Sequence, residues 1–271
     1  MSHVGTAGAE AVVSVRAVTS VEGVAGLADE WRQLWQACKG RRTPFLSFEW
    51  AQAWLRHFGP THPPHVIVAE LNGSPVGIVP LVLAPCRIGR CGFDVLETLG
   101  GQSCNAIALV APGKASDVAD AVAGYLRDTF MRGGLRLRLG LVPSSAPFLE
   151  ALSDALAARA PGVRLSCRPV STAPYVPLPA FWDDYLQSLG RRRRKVLGRA
   201  QRQLDRAFRS QDVRWLHGEE VEAGMNDLFR LHEERWAEVG IRGLFGREVS
   251  RRFHIDVARE FDSRGWLDLS E

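Results

Sequence analysis

Five consecutive cations, Arg191, Arg192, Arg193, Arg194 and Lys195, form the densest concentration of potential chemistry in the chain. Neighbouring like charges repel, and guanidinium forks pair bidentately with phosphate and carboxylate, so the run suits an anion clamp. Between Ser188 and Ser210 nine basic residues stand against one acid, a local charge of +8. The competing reading is a solvated helix face that pairs with Asp183, Asp184 and the glutamates between Glu219 and Glu238. Nucleic-acid binding calls for interleaved aromatic residues, and Phe208 is the only one nearby, so nucleic acid is not an expected partner.

A second constellation is His232, Glu233, Glu234, Arg235 and Trp236. A histidine among carboxylates can accept a proton from an attacking group. His232 also shares an apolar stripe with Phe229 and Trp236, which suits a core histidine with a satisfied N–H. Glu233 and Glu234 are expected to face solvent, with Glu234 four residues beyond Arg230. His57, His62 and His65 surround Pro60, Pro63 and Pro64 without a carboxylate or cysteine and are expected as exposed loop histidines, not a metal site. Cys38, Cys86, Cys91, Cys104 and Cys167 lack ligand spacing and read as inert thiols in a reducing compartment. No G-x-S-x-G, P-loop or H-E-x-x-H string occurs, so hydrolase, nucleotide-kinase and zinc-protease chemistry has no support.

These residues need a scaffold, and the apolar periodicity outlines one. Val12–Val18 alternates as a strand; Val21–Cys38 and Ser47–Phe58 repeat at helical steps, the second with Ser47 as N-cap. His65–Leu71 and Val76–Ala84 flank Asn72-Gly73, a hairpin signal because type I′ turns need positive φ twice. Phe93–Leu99, Ala106–Val110 and Leu135–Val142 read as strands, Ser116–Phe130 and Pro147–Ala160 as helices, and Val163–Val176 as extended chain. Pro174, Pro177 and Pro179 mark a boundary. Beyond it come helices at Phe181–Leu189, Arg191–Phe208, Val221–Val239 and Val249–Phe261, with short strands at Val213–Leu216 and Trp266–Leu269. The order β-α-α-β thus opens both halves, a weak repeat in topology. The expected fold is α/β: a mixed sheet with helices on both faces over residues 12–179, then an Arg-rich linker helix and an incomplete second unit over 180–271.

The chain has 271 residues, 46 % hydrophobic, and a net charge of +4, too mild to name a polyanionic partner. All but Lys39, Lys114 and Lys195 of its 34 basic residues are arginines, which suits genome composition. The first residues lack a charged n-region and a continuous apolar stretch, and no apolar run approaches the ~20 residues of a membrane span. The expectation is a soluble, cytoplasmic protein without a transmembrane segment.

The sequence resembles the tandem GNAT-fold acetyltransferases of the CelD/BioF2-like family, distant relatives of the FemAB peptidyltransferases. The matching pieces are Pro44-Phe45-Leu46-Ser47-Phe48-Glu49-Trp50 running to Trp54 and Phe58-Gly59; Gly73 to Leu81; Tyr185-Leu186 with Leu189 and Arg191 to Arg194; and Leu231-His232 with Arg235-Trp236 and Gly240. The resemblance covers nearly the whole chain. It implies acyl transfer from acetyl-CoA or another acyl-CoA to an amine or hydroxyl of a small molecule or cell-envelope saccharide. It also points to Arg191–Arg194, Lys195, His232, Arg235 and Trp236 as substrate-binding residues; the catalytic and cofactor-binding residues are left open.

Two departures qualify that implication. The pyrophosphate turn Q/R-x-x-G-x-G/A of such proteins is missing; Gly100-Gly101-Gln102-Ser103 has its glycines on the wrong side, and no glycine adjoins the helix expected from Ser116. The second unit, which carries the donor site in this family, stops inside its second strand, so a fragment, a frameshifted product or a degenerate member is expected, with no tightly bound acyl-CoA. The alternative function is a non-catalytic binding module whose contact is the Arg-rich helix.

Overall fold

The structure is a computed structural model that describes residues 12–38, 43–101, 107–130, 136–172, 174, 176–208, 213–238, 240 and 243–271. It opens with β1 (Ser14–Val18), α1 (Val21–Ala25), α2 (Ala28–Ala37) and α3 (Phe48–Phe58). The single helix expected from Val21 to Cys38 is two. Gly26 is a poor helix former, and after it the Leu27 N–H bonds back only three residues, to the Val24 carbonyl at 3.0 Å. Ser47 caps α3 as expected: its Oγ accepts from the Trp50 N–H at 3.2 Å and donates to the Pro44 carbonyl at 2.7 Å.

β2 (Pro64–Leu71) turns through Asn72 and Gly73, with φ of 52° and 76°, into β3 (Ser74–Ile88). β3 runs past the expected Ala84 because β4 (Cys91–Thr98) pairs with its far half, from Leu81↔Thr98 to Ile88↔Cys91. Its near half pairs with β5 (Leu109–Val110), and β6 (Leu137–Arg138) lies parallel to β4. Of the strand expected over Leu135–Val142, the described residues, which begin at 136, form two paired positions. α4 (Ala115–Phe130) and α5 (Pro147–Arg159) complete this half. The sheet order is β1-β2-β3-β4-β6, with β5 paired to β3, antiparallel from β1 to β4 and parallel at its last step.

This is the expected mixed α/β layer. β2 is buried on both faces, so it reads as an unbroken apolar run. Val66 and Val68 join Trp31, Leu46, Phe48 and Leu55 beneath α1–α3, while Ile67 and Ala69 join Val118, Val122, Leu126 and Leu152 beneath α4 and α5. His65 is buried in β2 with a ring nitrogen 2.9 Å from the Tyr125 hydroxyl, and burial lowers its pKa. It is not a loop histidine, and neither is His57, which belongs to α3; only His62 lies in the turn. Strand pairing decides this: Pro64 can open β2 without donating a ladder bond.

Gly77 lets α4 lie flat on the sheet. A Cβ there would stand 2.6 Å from Val118 Cγ1. Gly77→Ala is therefore expected to destabilise by about 1–3 kcal/mol through overpacking. Adding Val118→Ala should return part of that loss in chemical denaturation. A Gly77→Ala protein as stable as the parent would contradict the close approach.

The expected extended chain over Val163–Val176 forms no ladder among its described residues and is largely exposed. α6 (Trp182–Ser188), α7 (Arg191–Ala207), α8 (Glu220–Ala237) and α9 (Glu248–Ser263) follow. Trp215 and Ser270 form an antiparallel bridge, extended by Leu216 N–H to the Leu269 carbonyl at 2.9 Å and by Glu271 N–H to the Arg214 carbonyl at 3.0 Å. Two short extended segments therefore flank α8 and α9 as β1 and β2 flank α1–α3. Gly224 of α8 sits directly on this pair, 2.3 Å from Leu216 Cδ1 for an added Cβ. α9 serves two cores: Phe253 and Val257 join the cluster under α3, and Ala258 and Ile255 join Val221, Met225, Phe229 and Phe245 of the C-terminal cluster.

Candidate functional site

The α3–α9 contact carries the densest buried polar chemistry. Glu49 is 2 % exposed, yet it is a carboxylate in the first turn of α3. Its Oε1 accepts from Arg32 Nε of α2 at 2.8 Å and pairs with Arg264, just past α9, at 3.0 Å. Its Oε2 and the neighbouring Trp50 Nε1 are buried without a hydrogen-bond partner among the described residues. The Arg32 guanidinium also lies 4.8 Å from the Phe48 ring centroid, a cation–π arrangement. Two turns further along α3, Arg56 and His57 both reach Asp256 Oδ2, at 2.9 and 2.8 Å. Burial opposes ionisation of Asp256, but the His57 and Arg56 hydrogen bonds outweigh it and hold the carboxyl below its ordinary value. Trp50, His57 and Phe58 close on Phe253 with ring centroids 4.9, 6.4 and 5.6 Å away.

The sequence-derived candidates lie elsewhere. Arg191, Arg192, Arg193, Arg194 and Lys195 form the first turns of α7, whose described residues are all unburied. Arg194 donates to the Leu186 and Gln187 carbonyls of α6 at 3.4 and 3.1 Å. Among the described residues no salt bridge involves any of the five, so the expected pairing with Asp183, Asp184 and the α8 glutamates is not made. Arg192 and Arg193 line a shallow groove of about 460 Å³ with Tyr185, Leu189, Val196 and Leu197, between α6 and α7.

His232 is half-buried on α8, its ring 4.7 Å from Phe245 and 5.9 Å from Trp236. It meets no described donor or acceptor at Nδ1, where a satisfied core histidine is expected. An added Cβ at Gly243 would lie 2.4 Å from its Cε1, so that glycine admits the imidazole. Arg235 is exposed and pairs with Glu238 at 3.0 Å. Glu234 pairs with Arg230 at 3.1 Å as expected, whereas Glu233 reaches across to Arg251 of α9.

A larger open groove of about 900 Å³ runs between β1 and α4 past Lys114, Asp117, Asp120, Tyr125 and Arg159. Its charges are already paired, Lys114 with Asp117 at 2.9 Å and Arg159 with Asp120. The Arg159 hydrogen bond holds the Asp120 carboxyl below its ordinary value, so the groove offers ion pairs, not a free base. Among the described residues no group of His, Cys, Asp and Glu is arranged to hold a metal ion. Gly100-Gly101 turns at the end of β4 with φ of 84° and 55°. α4 begins at Ala115, with Gly113 at φ 77° two residues before it, so a glycine does precede this helix closely. The Ala111 and Lys114 N–H groups there bond to the Val76 and Ala111 carbonyls at 2.9 and 3.0 Å, which leaves neither of them to cradle a pyrophosphate.

Glu49, Arg32, Arg264 and Asp256 had no role in the sequence reading. The available signal was an acid in the apolar stretch Phe48-Glu49-Trp50-Ala51, where only a paired carboxylate survives burial.

What the fold defines is a mixed α/β sheet protein with helices on both faces and a C-terminal αα unit seated on its N-terminal helices. No protein-family model matches the chain, and no curated protein matches it. Among solved structures it is similar to an aminoglycoside acetyltransferase from an uncultured soil metagenomic sample, solved in complex with sisomicin. The identity is 11 %, the match covers 60 % of this chain and 97 % of that one, and the TM-score is 0.35.

Proposed function

We propose that the chain is a GNAT-type acyltransferase scaffold of two units, residues 12–179 and 180–271, which moves an acyl group from acyl-CoA to an amine or hydroxyl of a small molecule or saccharide. The observation that carries this reading is the sheet order, an antiparallel β1–β4 meander whose last step, β4 to β6, is parallel. In the reaction the acceptor nitrogen or oxygen attacks the thioester carbonyl. The new C–N or C–O bond forms as the C–S bond breaks, and the proton lost by the acceptor ends on the CoA sulfur. Catalysis of this kind is mostly positioning of the two reactants and stabilisation of the oxyanion. Arg191–Arg194 and Lys195 hold anionic groups, and His232, Arg235 and Trp236 contribute acceptor contacts at the C-terminal end of α8.

The missing Q/R-x-x-G-x-G/A turn predicts weak donor binding. Calorimetric titration with acetyl-CoA is expected to give a dissociation constant above about 10 μM, weaker than roughly −7 kcal/mol. At millimolar acetyl-CoA, release of free CoA thiol is expected to rise with amine or saccharide acceptors and to fall for His232→Ala. Thiol release unchanged by any acceptor overturns the enzymatic reading. That result leaves the second reading, a non-catalytic binding module, which the cations of α7, without a salt bridge among the described residues, favour.

A further inference from the structure

We propose that α6 and α7 form an interfacial anchor that lies on an anionic lipid bilayer surface. Wound at about 3.6 residues per turn, α7 separates into two faces with one exception. Arg191, Lys195, Arg199, Arg202 and Arg206 fall on one side, and Val196, Leu197, Ala200, Leu204 and Ala207 on the other. Arg193 alone among the cations falls on the apolar side, in the first turn, where a long stem can carry its head to the polar edge.

In a soluble domain such an apolar face is buried against the core, but no described residue of α6 or α7 is buried. Val196 is 62 % exposed and Leu204 44 %, and the flanking Phe181, Trp182 and Phe208 are 71, 63 and 57 % exposed. No salt bridge among the described residues engages the cations of α7, although Arg194 donates to the Leu186 and Gln187 carbonyls. The helix also starts against its own dipole, with four arginines in its first turn.

A cationic polar face, an open apolar face and exposed aromatic residues at both ends of the α6–α7 pair match the requirements of an anionic bilayer surface, which supplies lipid phosphates and acyl chains in the same plane. A soluble polyanion would answer only the charges and leave the leucines in water. No described helix is long and apolar enough to cross a membrane, so the contact is in-plane. The inference concerns where the chain sits and stands apart from whether it transfers acyl groups.

The test is sedimentation of the full chain with vesicles of phosphatidylcholine alone or with a third phosphatidylglycerol. Partition into the anionic vesicles is expected to exceed that into neutral ones by at least about tenfold. Leu197→Asp/Leu204→Asp should lose at least about tenfold, and these exposed positions can be changed without unfolding the core, which circular dichroism verifies. Trp182→Phe should remove a blue-shifted part of the emission that appears only with anionic vesicles. Failure to bind anionic vesicles overturns the proposal, as does equal binding by the Leu197→Asp/Leu204→Asp protein, which would mean charge attraction alone. Retention on single-stranded DNA without vesicle binding also overturns it. So does a thermal shift in inorganic phosphate over chloride at equal ionic strength without vesicle binding, which would assign the cations to free phosphate.

Discussion

Phe253→Ala is expected to lower the stability of the whole chain by about 3–5 kcal/mol, which for this size is a fall in Tm of roughly 10 °C. The side chain is 4 % exposed and packs into the rings of Trp50 and Phe58 across the α3–α9 contact. The cavity left behind is lined by Trp50 and Phe58, two bulky rings fixed on α3. The loss should be cooperative: protection of α3 amides in hydrogen exchange falls with that of α9. Leu231→Ala, at a position 54 % exposed on α8, should by contrast cost under about 0.5 kcal/mol. If Phe253→Ala cost no more than Leu231→Ala, α9 would not be seated on α3. The same contact means that residues 180–271 are not expendable for the stability of the first half.

The second large effect concerns Glu49. Removing both cations in Arg32→Met/Arg264→Met strands a buried carboxylate, and a loss of about 3–5 kcal/mol is expected. Adding Glu49→Met should return most of it, because an apolar trio of similar volume no longer carries an uncompensated charge. Either single arginine variant should cost markedly less than the pair, since Oε1 keeps one partner at 2.8 or 3.0 Å. Urea denaturation of the four variants and the parent decides the point. A triple variant no more stable than the double would show that the arginines act through packing, as the Arg32 stack on Phe48 also allows.

Local chemistry makes much of the frame legible in the sequence. Ser47 as a cap, Asn72-Gly73 as a hairpin turn and the helical steps of α3, α4, α5, α8 and α9 depend on interactions a few residues long, and each formed where the sequence placed it. Pairing partners were not legible in this way. The extension of β3 to Ile88 and the pairing of β6 at Leu137–Arg138 were decided by which strands meet, a property of the assembled sheet.

The sequence by itself determined that the protein is a mixed α/β chain with a concentrated cationic helix, because composition, period and turn residues are local quantities. Only the tertiary structure decided that His57 meets Asp256 some two hundred positions away, that Glu49 is held between Arg32 and Arg264, and that the face of α7 carrying Val196 and Leu204 stays uncovered. Contacts between distant elements follow from how the whole chain closes on itself, so spacing along the sequence carries no record of them.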